Sequence, residues 1–153
     1  MSELKGKIRT ACEDDLPDVV RLAFDLWPEH DPKELESECA DLLKTGALFA
    51  LFALYEAPDG KTAGFAQCQL RHDYVEGTET SPVGYLEGIY VEPAFRGQGI
   101  ARELLHFCED WSRGKGCREF ASDCELTNTE SLYFHLHTGF REANRIICFC
   151  KKL

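Results

Sequence analysis

The sequence predicts an α/β domain, a mixed sheet with helices on both faces, on the strength of three observations. Apolar residues recur at helical spacing over 16–26 and 100–113, strand-like runs separated by turn signals fill 47–92, and a strand, a glycine-rich turn, a helix and a further strand follow one another between 83 and 124. With 153 residues, 44% hydrophobic and 29% charged, the chain is long enough to bury a core. No linker, repeat or shift in composition divides it, so one domain over 1–153 is expected.

The element order expected is β-α-α-β-β-β-α-β-α-β. A first strand covers 7–11. Asp14, Asp15 and Pro17 mark the start of a helix whose Leu16, Val19, Val20, Ala23 and Leu26 share a face and which stops at Pro28. Asp31-Pro32 then reads as the cap and first turn of a second helix carrying Leu35, Cys39, Leu42 and Leu43 ahead of Gly46. Runs 47–56 and 62–71 flank Pro58-Asp59-Gly60 and form a hairpin. A strand over 83–92, a helix over 100–113 and a strand over 118–124 form a βαβ unit. A short helix over 129–137, a Gly139-Phe140 turn and a last strand over 145–151 complete the order.

Composition narrows the class of function. The net charge of −10 with no long basic block argues against nucleic acid and anionic membranes and suits a cationic partner, although the same charge would also serve solubility alone. The longest apolar run, 47–55, is about half of the ~20 residues that a spanning helix needs. Residues 1–7 are polar, so export is not expected, and a bacterial cytoplasmic location is. Eight cysteines without a CxxC pair read mostly as reduced core thiols, and no metal site is expected.

Arg96-Gly97-Gln98-Gly99-Ile100-Ala101 lies between a strand and a helix, where glycines let backbone N–H groups crowd an anion and the helix N-terminus adds its positive dipole end. A pyrophosphate suits that position, as would an ordinary strand–helix turn. Gly88, inside an apolar strand, marks either a bulge with a close backbone approach to a ligand or a packing glycine.

Here the chain resembles the GCN5-related N-acetyltransferase (GNAT) superfamily, whose coenzyme A signature, Gln/Arg-x-x-Gly-x-Gly/Ala, is matched by Arg96, Gly99 and Ala101. The likeness continues through Asn128 and Gly139-Phe140. The segments Leu26-Trp27-Pro28-Glu29-His30, Tyr74 to Pro82, Leu86-Glu87-Gly88-Ile89 and Glu119 to Asp123 are similar to those of aminoglycoside 6′-N-acetyltransferases. The resemblance implies acetyl-CoA as cosubstrate and a cationic aminoglycoside as acceptor. It implies that Ile89, Tyr90 and Val91 pair with the pantetheine arm, that Gly97, Gln98, Gly99, Ile100, Ala101 and Arg102 with Arg96 hold the pyrophosphate, and that Asn128 contacts the coenzyme. Trp27, His30, Tyr74, Glu87 and Asp123 match the acceptor pocket.

The residue types fit such an acceptor, since carboxylates meet ammonium groups and aromatic faces meet sugar rings. No activated-nucleophile motif is recognisable, so the expected reaction is direct attack by the 6′-amine in a ternary complex. Asp123 is the first choice for orienting and deprotonating the amine and Glu87 the second, while a bulge at Gly88 would free an N–H for the oxyanion. Two positions depart from the pattern. His135 stands where many members carry the Tyr that protonates the thiolate, and it could donate that proton as the catalytic acid or be a surface or packing His on a short helix; Asn144, a candidate acceptor contact, stands where similar enzymes have an acceptor-binding Glu. The strand-rich C-terminal segment allows a homodimer. Rival readings are a related acetyltransferase of a polyamine or protein N-terminus, and a coenzyme-A-binding module without turnover.

Overall fold

The structure, a computed structural model, describes residues 5–153, so residues 1–4 of the polar opening stretch lie outside it. Five strands, β1 (Lys7–Thr10), β2 (Ala50–Glu56), β3 (Thr62–Arg71), β4 (Val83–Val91) and β5 (Phe120–Ser122), form one sheet in the order β1-β2-β3-β4-β5. The first four are antiparallel neighbours and β5 runs parallel to β4, so the sheet is mixed, as the sequence implies. The parallel pair is joined through α3 (Ile100–Gly114), which makes the expected βαβ unit.

Period-2 alternation in β2 sorts the core into two layers. Leu51, Ala53 and Tyr55 face Leu104, Leu105 and Cys108 of α3. Phe52 and Leu54 face the other way, against Val19, Leu22 and Ala23 of α1 (Leu16–Leu26) and Leu35, Cys39 and Leu43 of α2 (Pro32–Leu43). Helices therefore cover both faces, as expected. The helix starts are chemically marked, with Pro in the first turn of α1 and of α2, and with the Asp31 carboxylate accepting from the N–H groups of Lys33 and Glu34 at 3.0 Å each.

Three boundaries differ from expectation. Strand β2 begins at Ala50 rather than at residue 47, because Gly46 and Ala47 both take φ +62° and turn the chain. Strand β5 spans only Phe120–Ser122, since its ladder with β4 ends at the Leu86↔Ser122 pair. The last strand, over 145–151, is not formed. Residues 141–153 run on from α4 (Thr129–His137) without a ladder, and Ile146, Ile147 and Phe149 are exposed. Alternating apolar residues make a strand only where a partner edge supplies the hydrogen bonds. The cysteines also divide more evenly than expected: Cys39, Cys68, Cys108 and Cys117 are buried, Cys12, Cys124, Cys148 and Cys150 are exposed, and all eight are free thiols. Among the described residues, no helix is long and apolar enough to cross a membrane, and no group of three or more His, Cys, Asp or Glu side chains could hold a metal ion.

Candidate active site

Strand β4 has two features that coincide at Glu87. Its pairing with β5 stops at Leu86, so from Glu87 to Val91 it has a ladder with β3 alone. Its pairing with β3 also slips at that point: Leu86 lies opposite Cys68 and Gly88 opposite Gln67, which leaves Glu87 as the extra residue of a bulge. The bulge anticipated from Gly88 is therefore present. The glycine has a packing role as well, since a Cβ there would sit 2.5 Å from Cζ2 of Trp27 and 2.8 Å from Cδ2 of Leu26. Gly88 thus adjoins a bulge and also packs against α1.

The end of α1 thus lies against the bulge, with the Trp27 ring edge-on to Phe65 and its centroid 6.0 Å from that of His30. Glu87 and Asp123 are joined by two residues that sequence reasoning missed. Arg71, the last residue of β3, donates from Nη2 to Oε1 of Glu87 at 2.8 Å and lays its guanidinium over the Tyr85 ring, 3.5 Å from the centroid. The Tyr85 hydroxyl in turn donates to Oδ2 of Asp123. Burial and the bond to Asp123 hold the Tyr85 hydroxyl well above the ordinary phenol range, which fixes it as a donor at neutral pH. The i, i+2 spacing of Tyr85 and Glu87 could have drawn attention to Tyr85. Nothing local signalled Arg71, which reaches Glu87 only through the β3–β4 register.

His135 of α4 closes the far side. Its Nδ1 lies 2.7 Å from the carbonyl oxygen of Ser131, which can only accept, so Nδ1 carries a hydrogen. Its Nε2 lies 2.8 Å from Oγ of Ser122, which is itself 3.2 Å from the carbonyl oxygen of Leu86. The second ring nitrogen, Nε2, is therefore the one aimed at β5 and the point where the two strands part.

The glycine turn lies at the other end of β4. Gly97 and Gly99 take φ +79° and +82°, a left-handed conformation that favours glycine, and a Cβ on either would meet nothing within 4 Å. Gly99 is the N-cap of α3 and no side chain caps this end. A cavity of about 250 Å3 opens here, lined by Val91, Arg96, Gly97, Gly99, Arg102 and Phe134 among others. Arg96 folds back, donating from Nε to the Val91 carbonyl at 2.8 Å and lying over the Tyr90 ring. Gln98 is exposed and Ala101 half-buried. Ile100 is 2% exposed and belongs to the core, so only its backbone can face a ligand. Arg102 donates to the His137 carbonyl at 3.2 Å. Ile89 and Tyr90 are half-buried on the stretch of β4 beyond β5. Asn128 caps α4, its Oδ1 accepting from the Ser131 N–H at 3.1 Å, which leaves its amide nitrogen for a ligand.

Of the remaining predicted acceptor-side residues, Tyr74 stands 76% exposed in the loop between β3 and β4. That loop is tied to β5 by Glu119, whose Oε1 accepts from the N–H groups of Glu79 and Thr80 at 2.9 and 2.8 Å. Asn144 donates to Oε1 of Glu76 in the same loop at 2.9 Å, so it borders the acceptor side through Glu76. The structure does not bring Tyr74 or Asn144 into contact with Glu87 or Asp123. A larger cavity of about 570 Å3 follows the outer side of β5 and contains none of the predicted residues.

The structure thus holds a pair of strands that part after Leu86, a glycine turn at the head of α3, and Glu87 and Asp123 linked through Arg71 and Tyr85. The family profile described as the acetyltransferase (GNAT) family matches residues 15–140. The chain belongs to the GNAT acetyltransferase family. Within that family it is similar to aminoglycoside N(6′)-acetyltransferase type 1 of Stenotrophomonas maltophilia, 44% identical over 144 residues that make up 93% of this chain and 90% of the relative. It is 40% identical to the Salmonella typhimurium protein of the same description over 127 residues, 83% of this chain and 86% of that one. Among solved structures, AAC(6′)-Iy in complex with the bisubstrate analog CoA-S-monomethyl-acetylneamine superposes with a TM-score of 0.90 at 37% identity, covering 97% of this chain and 99% of that one. AAC(6′)-Ih from Acinetobacter baumannii gives 0.89 at 35%, with the same coverage.

Proposed function

We propose that this GNAT enzyme is an aminoglycoside 6′-N-acetyltransferase that uses acetyl-CoA as cosubstrate, in one domain spanning the chain. The observation that carries the reading is the placement of Glu87 and Asp123, with Arg71 and Tyr85 between them, at the point where β4 and β5 part and beside Trp27. The descriptions of the relatives at 44% and 40% identity support the same acceptor.

The residues present fit the cosubstrate. The open glycine turn and the uncapped start of α3 suit a pyrophosphate at Gly97 to Arg102, and the edge of β4 from Ile89 to Val91 suits an amide-bearing arm. Acetyl-CoA supplies the activated acetyl thioester. Asp123, with Oδ2 held by Tyr85, keeps Oδ1 for the acceptor's ammonium, orients it and takes its proton, so that the neutral amine attacks. The bulge interrupts the regular ladder next to Gly88, whose N–H would be the donor for the oxyanion. The leaving thiolate would take its proton from the imidazolium form of His135, which carries a hydrogen on Nε2 as well as on Nδ1: the Ser122 hydroxyl would give its proton to the sulfur and be reprotonated from Nε2, leaving a neutral ring with its hydrogen on Nδ1. Trp27, His30 and Tyr74 present ring faces to the sugars, and Asn144 with Glu76 hydrogen-bonds a more distant ring.

The working unit in this reading is a homodimer. Ile146, Ile147 and Phe149 are exposed on a segment outside any ladder, while among the described residues the outer side of β5 has no strand neighbour and borders the 570 Å3 groove. The eight free thiols support a place in the bacterial cytoplasm.

The decisive experiment mixes the purified protein with acetyl-CoA and kanamycin or tobramycin, follows thiol release and locates the acetyl group by NMR. Acetylation at the 6′-amine is expected, with Asp123→Asn lowering turnover by about 100-fold or more. Thiol release with a polyamine or peptide and with none of several aminoglycosides would overturn the acceptor while leaving the family in place.

A further inference from the structure

We propose that Arg71 is a specificity-determining residue of the acceptor site, a built-in cation that claims Glu87 and so leaves Asp123 as the carboxylate to which a cationic acceptor binds. The inference rests on the reading of this site as one for amines. A pocket for polycations is an unexpected place for an arginine, yet the guanidinium lies within the carboxylate pair. It spends one N–H on Oε1 of Glu87 at 2.8 Å, stacks at 3.5 Å on the same ring whose hydroxyl holds Asp123, and leaves its buried Nε without a partner. Its position is thus set by one carboxylate and one ring face. Only a planar, weakly hydrated cation can use both, so a lysine would not substitute.

The consequence is a division of labour. Arg71, Glu87 and Asp123 sum to one net negative charge rather than two, and that charge sits on Asp123. The Glu87 side chain is 22% exposed and that of Arg71 38%, so the pair is partly shielded from water and does not separate freely. An arriving ammonium finds one unclaimed carboxylate, which fixes the amine to be presented to the slot. With Glu87 unclaimed, the same ammonium would be shared between two carboxylates and held away from the attack geometry.

A double-mutant cycle separates this role from direct binding by Glu87. Arg71→Met, Glu87→Gln and the double variant are compared with wild type in steady-state acetylation of kanamycin and of spermidine, and in calorimetric binding of kanamycin alone. Glu87→Gln strips the guanidinium of its counter-ion and leaves a bare cation facing the acceptor, so acceptor KM rises about tenfold while kcat stays within about threefold. The double variant removes both charges and brings KM back to within about threefold of wild type. Arg71→Met alone adds a free carboxylate, which tightens kanamycin binding by about fivefold and lowers kcat.

Should the double variant keep the raised KM of Glu87→Gln, Glu87 binds the acceptor itself and the proposal is wrong. Weaker kanamycin binding in Arg71→Met also overturns it. Circular dichroism and acetyl-CoA affinity establish that each variant is folded, and the double variant buries no unpaired charge if either single one fails. Failure of the aminoglycoside reading shows separately, as wild-type turnover of spermidine without turnover of kanamycin, and the cycle is then read on spermidine.

Discussion

Replacing Gly88 with alanine tests whether the bulge and the end of α1 are packed as one unit. The added Cβ would stand 2.5 Å from Cζ2 and 2.7 Å from Cη2 of Trp27 and 2.8 Å from Cδ2 of Leu26. Carbon atoms in good contact sit about 3.5–4.0 Å apart, so the indole must retreat by about 1 Å. Backbone strain does not confuse the result, because Gly88 is not among the glycines at positive φ. Overpacking of this kind costs about 1–3 kcal/mol. At about 2–4 °C per kcal/mol for a chain of this size, the melting midpoint should fall by roughly 3–10 °C. In the proposed reading Trp27 also walls the acceptor side, so acceptor KM should rise while acetyl-CoA KM holds. Thermal and urea unfolding followed by far-UV circular dichroism give the stability term. Trp27→Phe removes the overlapping part of the ring, so Gly88→Ala should cost less in that background, with a coupling of about 0.5–2 kcal/mol. An equal cost in both backgrounds would show that Trp27 does not occupy this space.

Three further outcomes are expected. Arg9 donates to both oxygens of Asp15, at 2.8 and 2.7 Å, and this fork holds the Asp15 carboxyl down at about 2. A folded pKa below the unfolded one stabilises above the unfolded value, so this contribution is complete above about pH 4 and is lost as pH falls toward about 2. Asp15→Asn should remove roughly 1 kcal/mol at pH 7, after allowance for a partly exposed Arg9, and should flatten stability across that acid window in urea titrations. Phe149→Asp should convert the proposed homodimer to monomer in light scattering, and a wild-type protein that is already monomeric would refute that part of the reading. His135→Asn should lower kcat by about 10–100-fold with acceptor KM little changed, measured by thiol release, whereas an unchanged kcat would leave His135 as a helix-packing residue.

The elements set by local pattern were legible in the sequence. Asp31-Pro32 announces α2, Pro58-Asp59-Gly60 turns the β2–β3 hairpin, and Gly97 and Gly99 take the left-handed conformations that the turn before α3 needs. What the sequence did not disclose depends on partners distant in the chain. Residues 145–151 have the composition of a strand and no ladder, because composition cannot say which edge will pair with them. The end of β5 was placed two residues late for the same reason, and this matters to the proposed chemistry, since Asp123 lies just past the last ladder pair.

Arg71 illustrates the strongest form of this limit. Strand β4 reads Val83-Gly84-Tyr85-Leu86-Glu87-Gly88-Ile89-Tyr90-Val91, apolar on both faces apart from Glu87, so its alternation has no readable phase. The ladder supplies it. Arg71 pairs with Val83 and Gln69 with Tyr85, which puts Arg71 and Tyr85 on one face, the face where Phe65 opposite Tyr90 meets α1 and α2. Unbroken alternation would give Gly88 and Tyr90 to the opposite face. The bulge at Glu87 shifts the phase by one residue, so that Gly88 lies in line with Tyr85 and Tyr90 and meets Trp27. Glu87, the residue that absorbs the shift, is thereby left beside Arg71 at the opening between the strands. One extra residue in one strand therefore sets the Trp27–Gly88 contact and the Arg71–Glu87 pair together, and in the proposed reading a deletion that restored regular pairing would be expected to abolish acceptor recognition while sparing the glycine turn at the head of α3.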